Sequence, residues 1–317
     1  MMIDSTRQQP FVLSLSKGER PSLQSGLTLI ELLIASTLGL LLLAATGQIF
    51  LANKSSFTAQ EAMGNIQENA RLAMYFLQRD IRMAGYPKAG GPPAFITGTC
   101  PAISACSTTN EDNPSGTLGT GETCATATNA PGSFDCGGGL SDQIQIQYRS
   151  TVDCLGRAVP QPVATEPAIV ANRYFVSIDT ATRTRRLMCR SFSLHPTTFA
   201  ATAITGGQQP LVEGIETLQV LYGVDTNSNP AVVPPVSPVF ATRYVRANQV
   251  AAADWAKIIS VRVGVLASSI STTGAAAGAP DNALQRYLVL DAPIFTRSDA
   301  LRRRTFVSTI EIRNRSP

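Results

Sequence analysis

The stretch Ser25-Gly-Leu-Thr-Leu-Ile-Glu-Leu-Leu-Ile-Ala-Ser-Thr-Leu-Gly-Leu-Leu-Leu-Leu-Ala-Ala45 decides how the chain is organised. From Leu27 to Ala45 it holds a single charge, Glu31, and a glycine, Gly26, stands just ahead of it. A helix over 27–47, at about 1.5 Å per residue, matches a hydrocarbon core of roughly 30 Å. Gly39 and Gly47 lower helix propensity, but small residues are tolerated where apolar helices approach one another closely. Ser36, Thr37 and Thr46 are able to bond back to their own helix.

Working outward, residues 1–26 form a polar leader with Arg7, Lys17 and Arg20 against Asp4 and Glu19. Basic residues before an apolar run hold that side in the cytoplasm. Downstream, residues 48–86 continue the helix. No proline interrupts 48–82, and Ile66, Ala70, Ala73, Leu77 and Ile81 fall on one helical face. That stripe predicts packing against the chain's own globular part. Ala84-Gly-Tyr-Pro87 ends the helix, glycine first and proline after. A helix from Leu27 to Ala84 would be a rod on the order of 85 Å.

The 317 residues suffice for a large core, and 26 basic against 22 acidic residues make no strong field. Charge therefore gives no ground for direct nucleic-acid contact. Cys100, Cys106, Cys124, Cys136, Cys154 and Cys189 all lie downstream of the apolar run. An even set on one side of a membrane segment predicts disulfides in an oxidising compartment. Zinc spacing is missing: there is no C-x-x-C, and His195 is the lone histidine. Spacing does not determine connectivity; closing nearest neighbours gives Cys100–Cys106, Cys124–Cys136 and Cys154–Cys189.

Residues 87–140 are rich in Gly, Pro, Ser, Thr and cysteine and read as a disulfide-pinned loop insert. Residues 141–317 read as a β-rich head. Ile144, Ile146 and Tyr148 alternate with glutamines, and strands are expected at 142–148, 168–178, 185–193 and 211–223. Ile215 stands out of phase with Leu218, Val220 and Tyr222, which predicts a bulge or break near Glu216. Lys257–Leu266, Tyr287–Leu290 and Thr305–Ile312 complete the set, with loops at 227–238 and 268–280. The fold class is α+β: a long N-terminal helix, apolar in its first half, then a mostly antiparallel sheet.

Catalytic patterns are absent. One histidine, no G-x-S-x-G and no glycine-rich phosphate loop leave no enzyme site, cofactor or small-molecule substrate to assign. Glu111-Asp112 and Asp225 stand near glycine-containing loops but lack the spacing of a known calcium loop. The run Arg302-Arg-Arg304 with Arg313 and Arg315 reads as a solvated strand edge that suppresses mispairing, or else as a basic patch.

Gly26-Leu-Thr-Leu-Ile-Glu31 followed by apolar residues resembles the processing motif of type IV pilins and type II secretion pseudopilins. The blocks Glu61–Tyr86, Leu211–Asp225, Trp255–Val265 and Arg303–Asn314 extend the resemblance to PilW-type minor pilins, over roughly half the chain. Leu27 stands where many relatives carry phenylalanine. The resemblance implies cleavage after Gly26 by a membrane prepilin peptidase and N-methylation of Leu27. It implies a pilin-like fold, a single pass in the inner membrane with a periplasmic head, and residence in the pilus filament. The implied partners are other minor pilins and the major pilin. The implied work is priming or capping pilus assembly, in support of twitching motility, adhesion and DNA uptake.

Glu31 has two readings. An acid near a helix N-terminus is favoured by the dipole, but a charge in hydrocarbon costs on the order of 2.5–3.5 kcal/mol. A partner amine, from Leu27 of the same chain or of the next subunit, would offset that cost and set axial register. Two rival functions remain open: a type II secretion pseudopilin, and a soluble periplasmic binding or adhesion domain released at Ala45-Thr-Gly47.

Overall fold

The computed structural model describes residues 26, 28–86, 141–162, 167–179, 182, 184–195, 201–227, 240–270, 285–292, 294–297, 299 and 301–314. The expected insert at 87–140 and the leader 1–25 lie outside the described residues, as do 228–239 and 271–284, most of the two expected loops. The chain divides into two compact units, Met1–Ala52 and Asn53–Pro317.

One helix, α1, runs unbroken from Leu29 to Met83. Its second half buries Ile66, Ala70, Ala73, Leu77 and Ile81, the stripe that the 3.6-residue period picks out. At its end Gly85 takes a positive φ of 73°, a conformation open to glycine without a Cβ penalty. The Gly85 N–H donates to the Gln147 carbonyl at 2.7 Å, and Asn314 Nδ2 donates to the Met83 and Ala84 carbonyls at 3.2 Å each. The helix terminus is thereby satisfied by two distant parts of the head.

Two antiparallel sheets receive the buried stripe. In the first, β1 (Ile144–Arg149), β2 (Ile169–Ile178), β3 (Arg185–Leu194) and β4 (Ala201–Ala203) lie in that order, and β5 (Gln209–Glu213) also pairs with β3. In the second the order is β11 (Arg303–Glu311), β8 (Ile258–Ser268), β6 (Ile215–Val224), β7 (Arg243–Val245). A short pair, β9 (Gln285–Tyr287) and β10 (Phe295–Arg297), stands apart. The stripe of α1 forms one apolar core with Ile144, Ile146, Tyr174, Val176 and Leu187 of the first sheet and Leu218, Val220, Val261, Val263, Val265 and Ile310 of the second. The expected α+β class, a long helix followed by antiparallel sheet, is what the structure has.

The out-of-phase Ile215 has a physical cause on each side. The expected strand 211–223 is split at Gly214, whose φ is 71° and whose missing Cβ would stand 2.6 Å from the Ser268 carbonyl. The register then slips between Ile215 and Thr217, a bulge at Glu216. Sequence places a strand at Tyr287–Leu290, and the structure has one at Gln285–Tyr287. Leu290 adopts a φ of 52°, and the Ala292 N–H donates to the Val289 carbonyl, so a turn occupies that end.

Candidate processing and assembly site

The N-terminus of α1 is built by a reciprocal cap. Thr28 N–H and Thr28 Oγ1 donate to Glu31 Oε2 at 3.0 and 2.9 Å, and the Glu31 N–H donates to Thr28 Oγ1 at 3.3 Å. This is a capping box, in which the residue three positions into the helix reaches back to the cap. Thr28 is the residue that sequence reasoning missed, although Thr-x-x-Glu before an apolar run is its standard signature. Gly26 is exposed, and a Cβ added there would meet nothing within 4 Å. Nothing in the described fold asks for glycine at that position. Leu27 lies outside the described residues.

Behind the cap, α1 presents its apolar side chains outward. From Leu29 to Leu51 every large one is more than half exposed, from 53% at Ile34 to 78% at Leu29. Ser36 Oγ and Thr37 Oγ1 donate to the Leu33 and Ile34 carbonyls at 2.9 Å, and Thr46 Oγ1 to the Leu42 and Leu43 carbonyls at 3.0 Å. Each hydroxyl is therefore served inside its own helix. By length and composition α1 is able to cross a membrane, and its apolar window carries no burial inside the chain. Ala45-Thr-Gly47 sits within the uninterrupted helix.

The other half of α1 is held to the head by polar groups as well as by the stripe. Asp80 is fully buried. Its Oδ2 accepts from Tyr174 Oη at 2.6 Å and Asn172 Nδ2 at 2.8 Å, and its Oδ1 accepts from Arg79 Nε at 2.9 Å. Asn172 Nδ2 also donates to Tyr148 Oη at 3.0 Å. Burial first, and the neighbouring Asp80 second, push the Tyr148 and Tyr174 phenols well above their usual range. Burial works against the Arg79 charge, but Asp80 more than reverses this, and the guanidinium is held above its ordinary value. Sequence inspection also passed over Asp80. Its signal is an acid three residues after Leu77 and beside Ile81, on the apolar face.

Of the six cysteines, Cys154 and Cys189 are joined in a disulfide with Cα atoms 6.7 Å apart. Cys100, Cys106, Cys124 and Cys136 lie outside the described residues. The arginine run is not a uniform solvated edge. Arg303 is buried, with Nε on Glu216 Oε1 at 2.8 Å and its two terminal nitrogens on Asp299 at 2.6 Å each. Arg304 stays exposed and stacks on Phe306. Arg315, like Glu111-Asp112, is outside the described residues. Trp255 packs on Tyr222 with ring centroids 5.1 Å apart.

Two family models match the chain. The Prokaryotic N-terminal methylation motif covers residues 21–47, which contain Gly26, Leu27 and Glu31, and the Type IV Pilus-assembly protein W family covers residues 173–314. No curated protein and no solved structure gives a match. The two models fall on different structural parts, the motif on the capped apolar front of α1 and the W family on strands of both sheets. A methylation-motif match on the front helix and a W-family match over the head together support a PilW-type pilin, related to type IV pilus assembly.

Proposed function

We propose that the chain is a structural minor pilin of the type IV pilus, cleaved after Gly26, N-methylated on Leu27, and used to prime or cap pilus assembly. The observation that carries this is the exposed apolar front of α1 within a methylation motif, on a chain whose head matches the W family. An apolar helix with no cover of its own is suited first to a bilayer and then to neighbouring pilin helices. The absence of any packing demand for glycine at residue 26 supports a requirement set by the peptidase, which needs open backbone beside the bond it cuts. Cleavage there frees the amine of Leu27, one residue before Thr28 and four before Glu31, the two residues that close the cap. Both cap bonds use Glu31 Oε2, so Oε1 is left to meet an amine of the same chain or of the next subunit. The proposed partners are prepilin peptidase, the major pilin and other minor pilins, with the head in the periplasm.

Mass spectrometry of the mature N-terminus tests the processing step. Methyl-Leu27 is the expected first residue, and a start at Gln48 would instead support a released periplasmic domain. Glu31→Ala tests assembly: membrane levels should hold while incorporation into filaments is lost. Normal incorporation of that variant would remove Glu31 from the assembly step. The W-family match favours the pilus over a type II secretion pseudopilus.

A further inference from the structure

The disulfide and the buried acid are parts of one closed circuit. The peptide unit of Cys154 is used at both ends: its N–H donates to Asn172 Oδ1 at 3.2 Å, and its carbonyl accepts from Arg79 Nη2 at 3.3 Å. Asn172 and Arg79 both go on to donate to Asp80. The ring thus runs Cys154, Asn172, Asp80, Arg79 and back to Cys154, and it joins the end of α1 to β2. Ser191 Oγ donates to Asn172 Oδ1 at 2.7 Å, fixing which way the amide points. Cys189 lies opposite Tyr174, and Ser191 opposite Asn172, in the register of β2 and β3. The disulfide therefore ties the Cys154 loop to β3 at the level where Asp80 is held.

We propose that the Cys154–Cys189 bond is a redox latch on the Asp80 ring, so that the polar attachment of the last turns of α1, beside their apolar packing, is fully fixed only once these two cysteines are oxidised. In closing it, the two thiols give up two protons and two electrons to a disulfide-bearing oxidant by thiol–disulfide exchange, and that oxidant leaves as a dithiol. With the thiols reduced, the 151–158 loop loses its covalent tie to β3 and keeps only hydrogen-bonded links to it, such as Ser193 Oγ to the Pro160 carbonyl next to the loop. Asn172 and Arg79 then lose their common partner, and Asp80 is left buried with donors that are free to turn away. The end of the helix is then most firmly secured only after the head has left the reducing compartment.

The test is hydrogen exchange on the full chain in detergent, under graded reduction, with thiol alkylation to report which cysteines have opened. As Cys154 and Cys189 become alkylatable, amides at 77–83 and 172–174 should exchange roughly tenfold faster, while those of β8 and β11 stay slow. A second variant, Arg79→Met, opens the ring with the disulfide intact. It should speed the same segments without reductant. Unchanged exchange at 77–83 after reduction overturns the latch, because the loop's own bonds, such as Arg157 Nε to Asp153 Oδ2 at 2.7 Å, would then suffice to hold Cys154. A uniform acceleration across β8 and β11 overturns it too, since that is general loosening. Methyl-Leu27 and filament incorporation are read separately, so failure of the latch and failure of the pilin proposal are distinguishable.

Discussion

At the scale of single residues, Asp80 and its donors are the most exacting feature of the head. A buried carboxylate is tolerable only when its oxygens are served, and Tyr174, Asn172 and Arg79 serve both. Tyr174→Phe removes one donor without changing shape. It should cost about 1–3 kcal/mol, read as a lower urea midpoint at unchanged slope in detergent. The phenols also set an alkaline limit. Their folded pKa values lie above those of the unfolded chain, so their contribution is intact below about pH 10 and is lost as pH rises beyond it, by about 1.4 kcal/mol per unit for each group. Tyr148→Phe should make the decline in stability above pH 10 shallower, as measured by melts across a pH series. Asp80 was hard to read in sequence because periodicity marks a face and says nothing of an acid placed on it. Thr28 was legible, since the Thr-x-x-Glu spacing alone implies a cap.

At the scale of elements, the strands follow from alternation and their ends do not. β1, β2, β3, β8 and β11 lie within a few residues of the strands expected from the sequence. The Gly214 break depends instead on the approach of Ser268, some fifty residues later in the chain, which no local pattern contains. Gly214→Ala combines a strained φ with a Cβ against backbone. It should destabilise by more than about 1 kcal/mol, seen as a lower Tm of the full chain. The arginine run carries a second lesson. Arg303 and Arg304 open β11 on opposite faces, so Arg303 turns inward to meet Glu216 and Asp299 while Arg304 stays exposed. Burial opposes the Arg303 charge, yet the two carboxylates more than offset it and hold the guanidinium above its ordinary value. Arg303→Met should cost about 3–5 kcal/mol by leaving Glu216 buried without its cation, whereas Arg304→Met, at an exposed position, should stay within about 0.5 kcal/mol. Paired denaturation curves compare the two directly.

At the scale of the molecule, the front of α1 and the head answer to different solvents. Outward apolar side chains from Leu29 to Leu51 belong to a membrane-anchored pilin, and the buried stripe from Ile66 to Ile81 belongs to a water-facing fold. Leu40→Arg puts a charge into the front, at about 2.5–3.5 kcal/mol on insertion scales. Fractionation should find that variant shifted out of the integral membrane pool, with the antiparallel head still folded by circular dichroism. Sequence made this division visible, because hydropathy and helical period are both local. What the head touches in a filament depends on surfaces that alternation and spacing do not describe.

The hydroxyls of Ser36, Thr37 and Thr46 bear on how such a subunit changes surroundings. Each already bonds a carbonyl of its own helix. When lipid tails are replaced by neighbouring side chains, no hydrogen bond has to be broken or found, and one set of dispersion contacts is exchanged for another. These three side chains therefore add no hydrogen-bond cost to such a transfer in either direction. What distinguishes lipid from neighbouring helices along this front is then side-chain shape and the charge of Glu31.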